Sequence, residues 1–456
     1  MNYYAYASRR VIDDSKCFKE GVEFEVVRKS DLDEHIKAYF KNKQSAIDNF
    51  KKNQLINIEI MYISAYMGSA RANAFAETFW FELEVLEKNS ADEDSYECCM
   101  EPANPEDETE QWAYCVIDEI SSEYEEALND LFRTPIAEKG AEINNVGAIA
   151  PGTVFNSIRA YYVGAALCVG LADNNNVIQG FFDIGYASSR AIAQLLFRAG
   201  SENLDDILAQ LRGINPLTII ISHWHRDHIN IALALLAADI GRHHWIYPVS
   251  ASPVAGRLTA HVPPAQQTPM NDDFINAPMP INLGNITITK IDAFDTSPPA
   301  PGQQPHPQSH FHPHHHGIYA AIRLVSGNYA ILSGDCTYFG MELFYSGMDF
   351  MQRLPIPGAI VLQASHHGGE HGLPPVIAND RLVSIPQFAV PHPPTVMNIF
   401  YSANGRTHGH PNQQIIAEYN NVGWAAGVNS LHNFVINNAN PFVQPIPQAA
   451  RILSYI

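Results

Sequence analysis

Cysteine is scarce in this chain, with six residues in 456, irregular spacing and no Cys-x-x-Cys pair. The sequence therefore indicates neither a disulfide framework nor a zinc ribbon, and we expect Cys168 and Cys336 to be small core residues. No apolar run approaches the ~20 residues that span a bilayer, and the first residues lack the pattern of a secretory signal. We expect a cytoplasmic protein that does not associate with membranes.

Positive charge is also limited, with 28 lysines and arginines against 48 aspartates and glutamates and a formal net charge of −20. Much of the acidity lies in residues 88–143, and Lys290 is the only lysine beyond residue 150. This balance argues against a broad electrostatic grip on nucleic acid, because clustered cations bind phosphates. The length favours two or three domains.

Residues 1–145 are predicted to form an α+β domain. Apolar residues at helical spacing, Phe40 among them, predict one helix over 30–53. Apolar runs predict strands within 56–67 and 78–87. Because no chemical motif occurs here, we interpret this domain as a scaffold or as the binding site for a protein partner.

Residues 146–456 have a different pattern, after a Gly- and Asn-rich stretch at 138–152 that we interpret as a linker. Strands alternate with helices, including helices predicted over 188–200 and 227–241. This alternation implies an α/β unit whose sheets are covered by helices.

The segment "SHWHRDHIN", residues 222–230, follows one of the most apolar runs of the chain. In an extended segment His223 and His225 point the same way, whereas Asp227 and His228 occupy the first turn of the next helix and leave in another direction. This geometry suits two adjacent metal sites, since zinc and similar ions bind imidazole and carboxylate groups. The alternative for a single histidine is a hydrogen-bonded structural role.

Further potential ligands lie at the ends of later apolar strands or beside them. They are Asp335 after "AILSG", His366 and His367 after "IVLQAS", and His314, His315 and His316 before "GIYAAIRLV". Asp183, in "FFDIG", also ends an apolar strand. It is expected either to orient a ligand histidine from behind or to cap the next turn.

The ordered motifs HxHxDH, "SGD" and "SHHGG", with "DIG" upstream, resemble the metallo-β-lactamase-fold hydrolase superfamily. With the later "GHP", they are most similar to the hydrolase domain of ComEC-type competence proteins, over about residues 153–440. The resemblance implies an αββα sandwich with metals at the edge of two packed sheets. It does not extend to the N-terminal α+β domain predicted over 1–145. One departure is "YVGAALCV", which stands where ComEC-type domains carry a Gly-Gln-Gly-Asp-Ser-like stretch.

The resemblance also implies a ligand set for two divalent ions, Zn²⁺ or Mn²⁺. His223 and His225 would hold the first ion, Asp227 and His228 the second, and Asp335 would bridge them. His366 would complete the second site, with His367 as the competing choice. His314 would complete the first, since His-x-x-Gly matches its spacing to Gly317, and His316 competes with it.

The reaction implied is metal-assisted hydrolysis, in which a hydroxide between two ions attacks the substrate and Asp227 orients that hydroxide. His408, His410 and Arg226 are candidates to protonate or neutralise the leaving group, although the two histidines could equally stabilise a turn. The leading substrate is a phosphodiester, in nucleic acid or a small nucleotide. The alternative is a small acyl substrate such as a lactone, thioester or β-lactam, which the acidic balance favours, and a non-catalytic binding module is a third reading.

Overall fold

The computed structural model describes residues 1–13, 19–67, 72, 79–87, 94–102, 111–136, 154–161, 163, 166–186, 202–270, 281–290, 317–323, 329–336, 359–368, 396–401, 413–421, 423–424, 434–437 and 444–445. The predicted linker at 138–152 and the predicted helix at 188–200 lie outside these residues. No helix among the described residues is long and apolar enough to cross a membrane.

The N-terminal region forms a closed barrel of six antiparallel strands. The strands are β1 (Asn2–Asp13), β2 (Lys19–Arg28), β3 (Met61–Tyr66), β4 (Trp80–Leu86), β5 (Tyr96–Pro102) and β6 (Gln111–Glu119). Their order around the barrel is β1-β2-β3-β5-β6-β4. Because side chains alternate along a strand, Val22, Phe24 and Val26 fill the barrel while Glu23 and Glu25 lie on its outer face. The strands expected within 56–67 and 78–87 are confirmed as β3 and β4.

Among the described residues, three helices cover one side of the barrel: α1 (Lys29–Lys41), α2 (Lys43–Asn53) and α3 (Ser122–Phe132). The prediction of one helix over 30–53 is wrong at Asn42, whose extended backbone separates α1 from α2 and whose side chain caps α2 at Ser45. Within α1 the buried residues are Leu32, Ile36 and Tyr39, and Phe40 is 49% exposed.

The α/β unit contains fourteen further strands among the described residues. They are β7 (Ser157–Ala160), β8 (Cys168–Ala172), β9 (Ile178–Ile184), β10 (Thr218–Ile220), β11 (His244–Pro248), β12 (Gln267–Met270), β13 (Ile281–Leu283), β14 (Ile286–Lys290), β15 (Ile318–Arg323), β16 (Tyr329–Leu332), β17 (Ala359–Gln363), β18 (Val396–Phe400), β19 (Phe434–Asn437) and β20 (Gln444–Pro445). One sheet has the order β12-β11-β10-β9-β8-β7-β19-β20, and the other runs from β13 to β18 in sequence order.

In the part of this unit that the structure describes, the helices are α4 (Glu202–Arg212), α5 (Arg226–Ile229), α6 (Ala237–Ile240), α7 (Pro253–Ala260) and α8 (Gln413–Asn421). The prediction of one helix over 227–241 is wrong, because α5 gives way to a 3₁₀ helix at Asn230–Ala234 before α6. The Asn230 amide explains the interruption, since it accepts from the Tyr186 N–H at 2.5 Å and donates to the Tyr186 carbonyl at 2.7 Å.

Three apolar layers organise the molecule. The two sheets face each other across a core that contains Phe182 and Ile220 from one sheet and Ile318 and Leu332 from the other. Helix α8 packs on the outer face of the β13–β18 sheet, and α4 packs on the outer face of the larger sheet. The cluster around α4 continues through α7 into α1–α3, so the barrel region and the α/β unit share one core.

Candidate metal centre

The HxHxDH segment begins directly after β10 and ends in α5. His225 is the residue before α5 and has extended backbone, with φ −70° and ψ 148°. His223 lies two residues before it and outside any helix, whereas Asp227 and His228 lie inside the short helix. This change of backbone direction separates the side chains into two groups.

Each group gains one residue from the other sheet. His223 and His225 form one set with Asp335, and Asp227 and His228 form another with His367, each with its ligand atoms within 4.8 Å of one another. All members of both sets are buried. Asp335 follows β16 and His367 follows β17, so both sets stand where strands of the two packed sheets end.

The distances between these atoms fit ligands of a shared ion better than they fit hydrogen bonds. Asp335 Oδ2 lies 3.4 Å from His228 Nε2 and 3.7 Å from His223 Nε2, while Asp227 Oδ2 lies 3.4 Å from His367 Nε2. Two donors about 2.0–2.2 Å from one tetrahedral ion lie roughly 3.3–3.6 Å apart. Asp335 reaches histidines of both sets, which is the position a bridging carboxylate needs. The donor set of imidazoles and carboxylates thus fits a pair of zinc-like ions.

Burial and neighbouring charges set the protonation of these groups. Burial lowers the pKa of His223 well below its usual range, and the nearby His228 and His225 lower it further, so His223 is a neutral imidazole suited to metal binding. Burial also tends to lower the pKa of His228, but the Asp335 and Asp183 carboxylates outweigh it and hold that pKa well above the usual range.

Asp183 lies directly behind His228. Its Oδ2 accepts from His228 Nδ1 at 2.7 Å and from the Ser222 hydroxyl at 2.7 Å, and its Oδ1 accepts from the Ser222 N–H at 2.6 Å. Burial raises the pKa of Asp183 while His228 and Ser222 oppose the rise. Of the two roles considered from the sequence, the structure places Asp183 in contact with a ligand histidine, in a left-handed backbone conformation of φ 54°.

Close backbone contacts hold the segment in place. Gly185 packs so tightly against α5 that an added Cβ would lie 1.6 Å from the Asp227 carbonyl oxygen. The Leu167 N–H donates to that same oxygen at 3.1 Å, and the Gly185 N–H donates to the Leu167 carbonyl at 2.8 Å. Glycine is thus required in "DIG" because any side chain would displace α5.

The Asp335 turn is held from β17. The Gly334 N–H donates to Gln363 Oε1 at 2.6 Å, and Gln363 Nε2 donates back to the Gly334 carbonyl at 3.0 Å. Gly334 has φ 58° and touches Ser222, which joins the turn to the HxHxDH segment. Gln363 and Ser222 were both missed by sequence reasoning; their signal was only that Ser222 precedes His223 and that Gln363 is the last residue of β17.

His367 is the member of the 366–367 pair whose described side chain lies at the candidate centre. The sequence favoured His366 as the ligand, with His367 as the competing choice, and His367 Nε2 faces Asp227 and Asp335, at 3.4 and 3.8 Å. The cause is the left-handed backbone of His367, φ 54°, in the 3₁₀ turn Ser365–Gly368. The side chain of His366 lies outside the described residues.

Arg226 is paired with carboxylates of the barrel. It was a candidate to neutralise a leaving group, but its guanidinium is buried, hydrogen-bonds Glu101 and lies 3.5 Å from Glu23, both in the barrel. Burial alone would lower the pKa of Arg226, and the Glu101 and Glu23 carboxylates reverse that effect and raise it. Its charge is therefore already neutralised by the protein.

The remaining predicted site residues are not described by the structure. His314, His315 and His316 precede β15, and His408 and His410 precede α8, in both cases outside the described ranges. Their proposed roles stay predictions.

Comparison of the chain with models of known protein families, with curated proteins and with solved structures gave no match.

Proposed function

We propose that this chain is a metal-dependent hydrolase with a two-ion centre, built on the αββα sandwich of the metallo-β-lactamase-fold superfamily that its motifs resemble. The observation that carries the proposal is the meeting of two ligand sets around Asp335. Six buried groups, four histidines and two aspartates from both sheets, converge at one sheet edge. Burying so many titratable groups together is costly unless a bound cation compensates them.

Two divalent ions, Zn²⁺ or Mn²⁺, would supply Lewis acidity and lower the pKa of water at the centre. His223, His225 and Asp335 would hold one ion, and Asp227, His228 and His367 the other, with Asp335 shared. Asp183 is a carboxylate that accepts from Nδ1 of His228, so it would keep the proton on Nδ1 when Nε2 gives up its own proton to bind an ion. Asp227 would also orient the attacking water.

The leading substrate is a phosphodiester, which rests on the "SGD", "SHHGG" and "GHP" elements shared with ComEC-type domains. A small acyl substrate is the second candidate, and two observations favour it. The net charge of −20 repels polyanions. The arginine inside the motif, Arg226, is already paired with two carboxylates.

The deciding experiment supplies the purified protein with Mn²⁺ or Zn²⁺ and offers bis-p-nitrophenyl phosphate, a labelled oligonucleotide, a lactone and a thioester. Phosphodiester cleavage that disappears in His225→Ala/Asp227→Ala but persists in His35→Ala, a histidine of α1, supports the leading substrate. Turnover of the lactone or thioester alone supports the second candidate. Activity that the double variant retains would refute the proposed centre.

A further inference from the structure

Arg226 lies inside the proposed metal-binding motif, but its side chain binds residues of the barrel. It stands between two proposed ligands, His225 and Asp227, and is the first residue of α5. Yet its guanidinium hydrogen-bonds Glu101 of β5, lies 3.5 Å from Glu23 of β2 and stacks 4.6 Å from the centre of the Tyr62 ring of β3. The metal-binding motif is thus tied to three barrel strands at its midpoint.

These barrel residues belong to one patch on the outer face of the barrel, which we call the acceptor patch: Glu23, Glu25, Tyr62 and Glu101. Tyr62 pairs in register with Glu101 on one side and with Glu25 on the other, and Glu23 is two residues before Glu25. Because the strands are joined in a closed barrel, the spacing of these side chains is fixed.

The acceptor patch holds the α/β unit at a second point. Glu25 Oε2 accepts from the Ser252 hydroxyl at 2.5 Å and from the Val254 N–H at 3.0 Å, at the start of α7. This second contact fixes how the barrel lies against the α/β unit, so the position of Glu101 and Glu23 relative to the metal centre is determined.

A buried guanidinium is costly unless it is paired, and removal of one partner leaves an uncompensated buried charge. Arg226 is 8% exposed, so its side chain must lie where the two carboxylates are. Its main chain is bonded directly to His225 and Asp227. The location of the guanidinium therefore constrains one proposed ligand of each ion.

We propose that Glu101 and Glu23 are positioning residues of the metal centre, acting through Arg226 on His225 and Asp227. The barrel is then part of the centre rather than an independent appendage. The inference rests on the proposed metal centre, and it deepens it by assigning a role to the first domain.

The test is a double-mutant cycle read by Zn²⁺ affinity, in competition with a chromophoric chelator. Glu101→Gln and Arg226→Gln are each expected to weaken Zn²⁺ binding by about tenfold or more, as loss of groups that orient ligands usually does. The double variant should be no weaker than Arg226→Gln alone, because Glu101 acts only through that residue. Glu84→Gln, the same change at an exposed barrel position, should leave the affinity unchanged.

The outcomes separate the two proposals. If the wild-type protein binds Zn²⁺ and Glu101→Gln changes the Zn²⁺ affinity by less than about twofold, the positioning role alone is refuted. It is also refuted if the loss of affinity in the double variant is the product of the losses in Glu101→Gln and Arg226→Gln. A wild-type protein that binds no Zn²⁺ would refute the metal centre and this inference together. Arg226→Lys, which keeps the charge but loses the planar fork, replaces Arg226→Gln if that variant does not fold.

Discussion

Replacing Asp183 with asparagine tests how the protein prepares His228. The carboxylate accepts from His228 Nδ1 at 2.7 Å and twice from Ser222. An asparagine that keeps its oxygen toward the Ser222 N–H turns its amide N–H₂ toward His228. Nδ1 must then become the acceptor, and the proton moves to Nε2, the atom that faces Asp335 at 3.4 Å. Nε2 would then be unable to bind an ion.

The expected effect follows from the hydrogen bond that the substitution removes from His228. A hydrogen bond to a charged group contributes about 1.5–3 kcal/mol, which corresponds to roughly 10–150-fold in affinity. This agrees with the ~10–100-fold loss in affinity that follows removal of groups that orient metal ligands. The stability of the metal-free protein should fall less than the Zn²⁺ affinity. Burial raises the pKa of Asp183, which means that folding disfavours its charged form, and an asparagine amide resembles the neutral form.

The assay measures Zn²⁺ affinity by chelator competition and the free energy of unfolding of the metal-free protein by urea. Asp183→Asn should weaken Zn²⁺ binding by more than about tenfold and change metal-free stability by less than about 2 kcal/mol. Asp206→Asn, which removes the charge of an α4 carboxylate that accepts from the Tyr161 hydroxyl, serves as the matched control and should bind Zn²⁺ normally. Wild-type affinity in Asp183→Asn would refute the reasoning.

Three more predictions concern the support of the site. Gly185→Ala should destabilise the protein by about 3 kcal/mol in urea unfolding, because its Cβ would overlap the Asp227 carbonyl. Glu25→Gln should remove a pH dependence of stability. Burial raises the pKa of Glu25 to about 8 from 4.5, and a hydrogen bond from Ser252 opposes this only in part. The folded state thus keeps a proton that the unfolded state releases, so wild-type stability should fall by up to about 5 kcal/mol between about pH 4.5 and pH 8 and level off above. Deletion of residues 1–145 should abolish soluble, cooperatively folding protein, because the core is shared.

Each of these three predictions has an outcome that would contradict it. Gly213→Ala, at the end of α4, provides the glycine control, and equal stability losses at both glycines would show that Gly185 has no special contact. A Glu25→Gln variant with the wild-type pH profile would place the titration elsewhere. A fragment of residues 146–456 that folds and binds metal would contradict both the shared core and the role given to the barrel.

Part of the site was accessible from the sequence because local spacing determines it. The pattern of His223, His225, Asp227 and His228 implies a change from extended chain to helix, and the structure has that change at His225. The order of strand ends also brought Asp335 and the 366–367 pair into consideration. Both predictions use only short-range information, namely the spacing of residues within one segment and their position just after a strand.

The rest depends on contacts that the sequence does not encode locally. His367 faces the site because its own backbone is left-handed, a conformation that the sequence does not predict at a residue other than glycine. Glu101 reaches Arg226 across 125 positions of sequence, and they are neighbours only because the barrel packs against the α/β unit. The interruption of the helix expected over 227–241 likewise follows from a tertiary partner, Tyr186, of the Asn230 amide.

The six converging groups are proposed to hold two ions. Elemental analysis of the protein after equilibration with Zn²⁺ and removal of excess metal measures this stoichiometry. We expect about two equivalents per chain in the wild type, and a loss of one in His225→Ala and in His367→Ala, which belong to different sets. A wild-type chain without stoichiometric metal, or variants that retain the full complement, would contradict it.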